Sequence, residues 1–268
     1  MIISIPKEIT SGENRVAAIP ATIKEYIKKG STVQVESGAG LGSFISDEDY
    51  KAIGADIIRD TKAIFKNADL ILKVNPPIIN KELGVHEVDL MKEGSAFISF
   101  FQTMIEKEAV EKLMLKNISG FSMHLVPRTT LAQKMDALSS QSNIAGYKAV
   151  LVGASHIGKY MPLLMTAAGT IPPAKVLIIG AGVAGLQAIA TAKRLGAQVE
   201  AFDVRPVVKE QVESLGAKFI EVPANDNEGV GEGGYAKETS DEYKQKQAEL
   251  LKVHIAKSDL VITTALIP

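Results

Sequence analysis

Three glycines spaced as Gly180-Ala-Gly182-Val-Ala-Gly185, between a short apolar run at 175–179 and a helical pattern at 183–195, constrain this chain more than any other feature. Glycine at the first place permits a tight turn, at the second lets the backbone approach a pyrophosphate, and at the third lets helix and strand pack closely. Phosphate charge then sits at the positive end of the helix. Such turns also occur for packing alone, so the flanks decide between the two. A second strand, 198–203, ends in Asp203, about twenty residues beyond the turn, where a carboxylate accepts hydrogen bonds from adenosine ribose hydroxyls and repels a 2′-phosphate. With flanks and spacing in register, the segment reads as a Rossmann-type dinucleotide site beginning at Gly180. Arg205 follows closely and would suit NADP, but Asp203 holds the ribose-reading position, which favours NAD(H).

Short apolar runs rich in β-branched residues alternate with helical patterns from end to end, the signature of βαβ units and parallel sheets. In the first half, strands are expected at 2–6, 31–36, 55–59, 69–74, 95–100 and 119–124, and helices at 21–29, 47–53, 61–67 and 105–116. From Leu131 to about Thr166 the pattern becomes a long helical tract, polar on one side. The second unit then runs strand 175–179, glycine turn, helix 183–195, strand 198–203, helix 207–215, strand 218–222, a glycine-rich loop, helix 240–257 and strand 260–265. The expected organisation is an α/β fold of two Rossmann-like domains with parallel sheets: an N-terminal domain at 1–130, a helical connector at 131–174 and a nucleotide domain at 175–268. An open doubly wound sheet usually continues further, so this last domain reads as incomplete.

Composition removes most other chemistries. In 268 residues, 46% hydrophobic, 30 basic side chains nearly cancel 31 acidic ones, so no global field draws the chain to nucleic acid or anionic lipid. Cysteine is absent, which excludes disulfides, thiolate nucleophiles and thiolate metal sites and suits a reducing compartment. The N-terminus enters a strand-like run directly, without the pattern of a signal peptide, and the most apolar stretch, 176–192, is too interrupted by glycine for a membrane span. His86, His124, His156 and His254 have no paired metal spacing, so no metal site is assigned. Neither a Gly-x-Ser-x-Gly elbow nor a Gly-Lys-Ser/Thr phosphate loop is present. Hydride chemistry through a cofactor remains.

Other positions admit two readings each. Gln133, Asp136 and Ser140 have helical i, i+3, i+7 spacing with Ser139 adjoining, a polar face that either holds a nicotinamide and its ribose or simply faces water. The segment 223–235, ending in Gly234-Tyr235, is either a lid or a surface insertion. Arg15 and Lys73 stand near the ends of the first and fourth expected strands, where they would clamp a carboxylate. Surface cations are far commoner, and that reading is favoured.

Longer motifs carry a family resemblance. Pro6-Lys-Glu with Glu13-Asn-Arg15-Val, Pro127-Arg128, Asp136-Ala-Leu-Ser-Ser-Gln-Ser-Asn143-Ile-Ala-Gly-Tyr147, Met165-Thr-Ala-Ala-Gly-Thr-Ile-Pro-Pro173, the run from Gly182 to Gly196 and Thr263-Thr-Ala-Leu-Ile-Pro268 span the chain. Together they closely resemble the NAD(H)-binding component, domain I, of the proton-translocating NAD(P) transhydrogenase family. The resemblance implies hydride exchange with NADP(H) held on a separate domain III, a membrane domain II that carries protons, and a homodimer. It places the chain peripheral to a membrane, in the cytoplasm or an organelle lumen. It further implies that Arg128, Thr129, Thr130, Gln133, Asp136 and Ser139 surround the nicotinamide and its ribose, with Arg128, Gln133 and Asp136 nearest the reaction. Gly182, Val183 and Ala184 would hold the pyrophosphate, and Asp203, Val204 and Arg205 the adenosine. Gly234, Gln247, Ala265 and Leu266 would line the rest, with Tyr235 on a closing loop. Alanine dehydrogenases are related and share the arginine matching Arg15 and the lysine matching Lys73. They carry an acid/base histidine where this chain reads Ser99-Phe-Phe-Gln-Thr103. Amine or alcohol oxidation releases a proton and needs such a group, whereas transfer between two nicotinamides asks for proximity and orientation. The same motifs would also suit a nucleotide-sensing subunit without chemistry.

Overall fold

A computed structural model describes residues 1–127, 129–222 and 241–265, which fall into two compact units, Met1–Leu138 and Ser139–Pro268. The first runs β1 (Ile2–Ile5), α1 (Pro20–Lys28), β2 (Thr32–Glu36), α2 (Asp47–Ala52), β3 (Asp56–Ile58), α3 (Thr61–Lys66), β4 (Leu70–Leu72), β5 (Ile79–Asn80), β6 (Val85–His86), α4 (Glu87–Leu90), β7 (Ala96–Ser99), α5 (Lys107–Leu115) and β8 (Ser119–Ser122). Local chemistry sets the helix starts. Pro20 opens α1 with its fixed φ, Ser46 and Asp49 form a reciprocal capping box on α2, and Asp60 accepts the Lys62 N–H at 2.9 Å to cap α3.

Six strands form a parallel sheet in the order β3-β2-β1-β4-β7-β8. Helices cover both faces, so the strands are apolar on both sides. In β4, Leu70 and Leu72 face a cluster with Ile3, Ile5, Val35 and Tyr50, while Ile71 between them joins Phe65, Val88, Phe97 and Leu113. The expected strands and helices are present within a few residues. The antiparallel ribbon β5–β6 and the short α4 are not among the expected elements, being too short to carry a periodic signal. His86 caps α4 through Nδ1, which accepts the Val88 N–H at 3.2 Å.

The tract expected as a helical connector has a different composition. It holds a 3-10 helix (Thr130–Met135), α6 (Ala137–His156), and an antiparallel hairpin of β9 (Leu164–Thr166) and β10 (Gly169–Ile171), and the division between the units falls inside α6. The helix ends at His156, two residues before Gly158, and Pro162 beyond it has no N–H with which a helix could resume.

The second unit continues with β11 (Lys175–Ile179), α7 (Val183–Arg194), β12 (Gln198–Phe202), α8 (Lys209–Ser214), β13 (Lys218–Ile220), α9 (Asp241–Ala256) and β14 (Leu260–Thr263). Its strands are parallel in the order β13-β12-β11-β14. Val176 and Ile178 of β11 enter a cluster with Val150, Ala188, Ile189 and Ala192, and Leu177 packs on the other face with Phe202, Ile220, Leu250 and Leu251. From β11 the chain steps to β12 and β13 on one side, then returns to β14 on the other. Among the described residues no helix is long and apolar enough to cross a membrane.

Candidate functional site

Strand register brings three chain segments level at the C-terminal edge of the second sheet. Ile179 pairs with Phe202 on one side and Thr263 on the other, so Gly180, Asp203 and Thr264 emerge in one row. The strand order reverses here, between β11 and β14, and open α/β sheets place ligands at such a switch point. Gly180 has φ +99°, and a Cβ on it would lie 2.8 Å from Thr264 Oγ1 and 2.9 Å from the Ala265 nitrogen. A Cβ on Gly185 would fall on the Gly180 carbonyl oxygen, whereas one on Gly182 would meet nothing within 4 Å. The first and third glycines are therefore required by backbone packing, and the middle one faces open space.

The backbone donors of the turn divide in the same way. Gly180 N–H donates to the Phe202 carbonyl at 2.8 Å and Ala181 N–H to Asp203 Oδ2 at 2.7 Å. The N–H groups of Gly182, Val183, Ala184 and Gly185 have no acceptor among the described residues, and the helix ladder starts with Leu186 N–H on the Gly182 carbonyl at 2.8 Å. Free donors, the positive end of a 12-residue helix and the space before Gly182 form a cradle that fits a pyrophosphate.

Asp203 is nearly buried, its side chain 6% exposed. Burial alone would raise its pKa, but hydrogen bonds from Arg205 and from the Ala181 N–H outweigh it and hold the carboxyl below its ordinary value. Oδ1 accepts the Arg205 backbone N–H and Nε, both at 2.9 Å, and Oδ2 accepts an Arg205 terminal nitrogen at 2.9 Å. With the Ala181 bond, the carboxylate's acceptor sites are already engaged, so a ribose hydroxyl enters only as Arg205 yields a contact. Val204 between them is half-buried.

Helix α6 is packed close to the turn. A Cβ on Gly146 would fall on the Ala184 carbonyl oxygen, Asn143 Nδ2 donates to Gln187 Oε1 at 3.0 Å, and Val150 joins the core. Residues 139, 143, 146 and 150 share one helical face, which sets Ser139 on the side of α6 that meets α7. Gln247 is half-buried on α9, and Ala265 is exposed just beyond β14.

The remaining expected site residues belong to the first unit. Thr129 and Thr130 are exposed at the start of the 3-10 helix, Gln133 is exposed within it, and Asp136 is half-buried at its end. The single helical face expected for Gln133, Asp136 and Ser140 does not form. Asp136 has ψ 71° and stands immediately before α6, at a place where aspartate favours capping a new helix over continuing an old one. Arg128, Gly234, Tyr235 and Leu266 lie outside the described residues.

Lys73 corrects the expectation of a surface cation. It is 5% exposed at the end of β4, with Nζ 2.5 and 2.6 Å from the Glu87 oxygens and 3.8 Å from Glu8. Glu87 comes from α4, the helix that the sequence pattern hides. Burial pushes the Glu8 carboxyl up, against the opposing pull of Lys73. Arg15 grips Glu13 through Nε at 2.8 Å and a terminal nitrogen at 2.6 Å. Those hydrogen bonds, and one from Asn75, hold Glu13 down at about 2 against its partial burial.

A basic recess of about 460 Å³ lies at the opposite edge of the second sheet, lined in part by Lys193, Lys218, His254 and Lys257 around Glu200. His254 Nδ1 lies 2.6 Å from Glu200 Oε2. The last turns of α7 and α9 contribute to it, and cations there offset the negative ends of those helices.

Residues 4–145 match the family described as alanine dehydrogenase/PNT, N-terminal domain, and residues 149–268 match its C-terminal domain. The chain is 49% identical to an NAD(P) transhydrogenase alpha subunit of Rhodospirillum rubrum, over all of this chain and 70% of that protein. It superposes on the crystal structure of transhydrogenase from Sinorhizobium meliloti with a TM-score of 0.84 at 46% identity, over all of this chain and 70% of that one. An L-alanine dehydrogenase structure is more distant, with a TM-score of 0.76 at 27% identity over all of this chain and 67% of that one. Fold, glycine turn and identity agree, and the chain belongs to the alanine dehydrogenase/PNT family, among the alpha subunits of NAD(P) transhydrogenase.

Proposed function

We propose that this chain is the NAD(H)-binding component of a proton-translocating NAD(P) transhydrogenase. It works with an NADP(H)-binding domain III and a membrane domain II, peripheral to the membrane in a cytoplasm or organelle lumen. The observation that carries the reading is the set of N–H donors of Gly182, Val183, Ala184 and Gly185 at the start of α7, without an acceptor among the described residues and beside the open space at Gly182. In this reading Gly182, Val183, Ala184 and Gly185 bind the pyrophosphate, and Gly180 shapes the turn that presents them. Asp203, with Val204 and Arg205, takes the adenosine ribose and rejects a 2′-phosphate. Following the family resemblance, Arg128, Thr129, Thr130, Gln133, Asp136 and Ser139 attend the nicotinamide and its ribose, while Gly234, Tyr235, Gln247, Ala265 and Leu266 enclose the nucleotide.

When bound, NAD(H) supplies hydride chemistry directly to the NADP(H) nicotinamide of the partner domain. The protein contributes orientation and exclusion of water, because no substrate proton has to be moved. The stretch Ser99-Phe-Phe-Gln-Thr103, which lacks the acid/base histidine of alanine dehydrogenases, supports this reading over an amino-acid dehydrogenase. A homodimer belongs to the same proposal. The hairpin β9–β10 exposes Met165 and Ile171, with strand edges that pair with no third strand among the described residues, a surface that a second copy would cover.

The test mixes the protein carrying this chain with an NADP(H)-loaded domain III and follows reduction of an NAD analogue. Hydride exchange is expected. NADH binding without exchange would overturn the reading in favour of a nucleotide-sensing subunit, and alanine-dependent NADH formation would restore the dehydrogenase.

A further inference from the structure

Thr264 is the residue of the second unit whose side chain joins the far strand of the switch point to the glycine turn. Its Oγ1 donates to the Gly180 carbonyl at 2.8 Å, and its N–H donates to the Ile179 carbonyl at 2.8 Å. The same oxygen would stand 2.8 Å from a Cβ on Gly180 and 3.1 Å from one on Gly185, so it fills the niche that both glycines leave. On the other side the Ala181 N–H is bound by Asp203 at 2.7 Å. The turn is thus tied at Gly180 to Thr264, the residue after β14, and at Ala181 to Asp203, the residue after β12, immediately before the N–H groups of Gly182 to Gly185, which have no acceptor among the described residues.

We infer that Thr264 is a positioning residue for the pyrophosphate cradle. This role rests on the proposed NAD(H) reading. Holding the Gly180 carbonyl fixes the peptide planes that follow it, so the N–H groups of Gly182 to Gly185 are aimed before any ligand arrives, and binding loses less freedom than it would from a loose turn. The methyl of the threonine stiffens the hydroxyl's direction by restricting χ1. No hydrogen bond from Thr264 to the nucleotide is required.

The experiment compares wild type, Thr264→Ala and Thr264→Ser by calorimetric titration with NADH, ADP-ribose and adenosine. Thr264→Ala is expected to weaken NADH and ADP-ribose about three- to tenfold, the worth of one hydrogen bond, while adenosine, which lacks the pyrophosphate, binds unchanged. Thr264→Ser, which keeps the hydroxyl, recovers most of the loss. Unchanged NADH affinity in Thr264→Ala, or an equal loss for adenosine, overturns the inference and leaves the NAD(H) reading standing. Wild type that binds no NADH overturns both. If Thr264→Ala does not fold, Thr264→Val, which keeps the shape and removes the hydroxyl, takes its place with the same deciding outcomes.

Discussion

Gly182→Ala separates the proposed nucleotide cradle from the fold around it. Gly182 has φ −77° and ψ −166°, extended backbone that alanine adopts freely, and its added Cβ meets no atom within 4 Å. Alanine is a weaker helix cap than glycine, but the loss is offset by the ~0.4–1 kcal/mol gained from a less flexible unfolded chain. Stability should therefore change by no more than about 0.5 kcal/mol. Binding should change far more. The methyl stands in the space before the free N–H groups, and keeping the pyrophosphate from two of them removes about 1.5–3 kcal/mol each. NADH affinity then falls by roughly two to four orders of magnitude. The chain has no tryptophan, so bound NADH is read from its own fluorescence and from calorimetry, with thermal melting by circular dichroism as the control. Gly185→Ala should do the reverse, since its Cβ falls on the Gly180 carbonyl oxygen, and it should cost ~1–3 kcal/mol or more in the absence of nucleotide. Undiminished NADH binding by Gly182→Ala, or melting lowered as much as in Gly185→Ala, would refute the assignment of open space to the phosphate.

Two further outcomes concern the first unit. Glu87→Gln leaves the buried Lys73 ammonium without its close partner and should destabilise the unit by about 3–5 kcal/mol, with Lys73→Met plus Glu87→Leu recovering much of that loss in chemical denaturation. Glu13, held at about 2 when folded and ordinary when unfolded, contributes stability that is present above the ordinary carboxylate range and is lost as pH falls toward about 2. Acid titration of the melting temperature should show this loss in wild type and a shallower acid limb in Glu13→Gln; identical limbs would discount the Arg15 contact.

What can be read from residue order follows from how locally each feature is encoded. The glycine turn, its flanking strand and helix and the position of Asp203 are set by spacing along one short stretch, and the structure places Gly180, Gly182, Gly185 and Asp203 together. Parallel strands buried on both faces announce themselves as apolar runs, hence the recovery of both sheets. Lys73 escapes such reading because a lysine's burial depends on Glu87, fourteen residues on, in a helix of one turn that carries too few residues for a periodic signal. The helical face around Gln133 fails at Asp136, where a capping preference interrupts what spacing alone would continue. Thr264 is visible in the sequence only as one member of a motif. Its meaning depends on β14 returning beside β11, a pairing between residues 84 positions apart that no local pattern reports.

That return has a consequence for how the protein is made. On a ribosome, the segment from β11 through β13 emerges first and can pair its strands in sequence, yet the turn still lacks its tether to β14. Closing a loop of this length is entropically slow, and parallel pairings of high sequence separation form late. A nascent chain whose synthesis has paused before β14 would carry every glycine of the nucleotide turn and still bind poorly. In the proposed reading, competence for the nucleotide would be acquired as β14 pairs with β11.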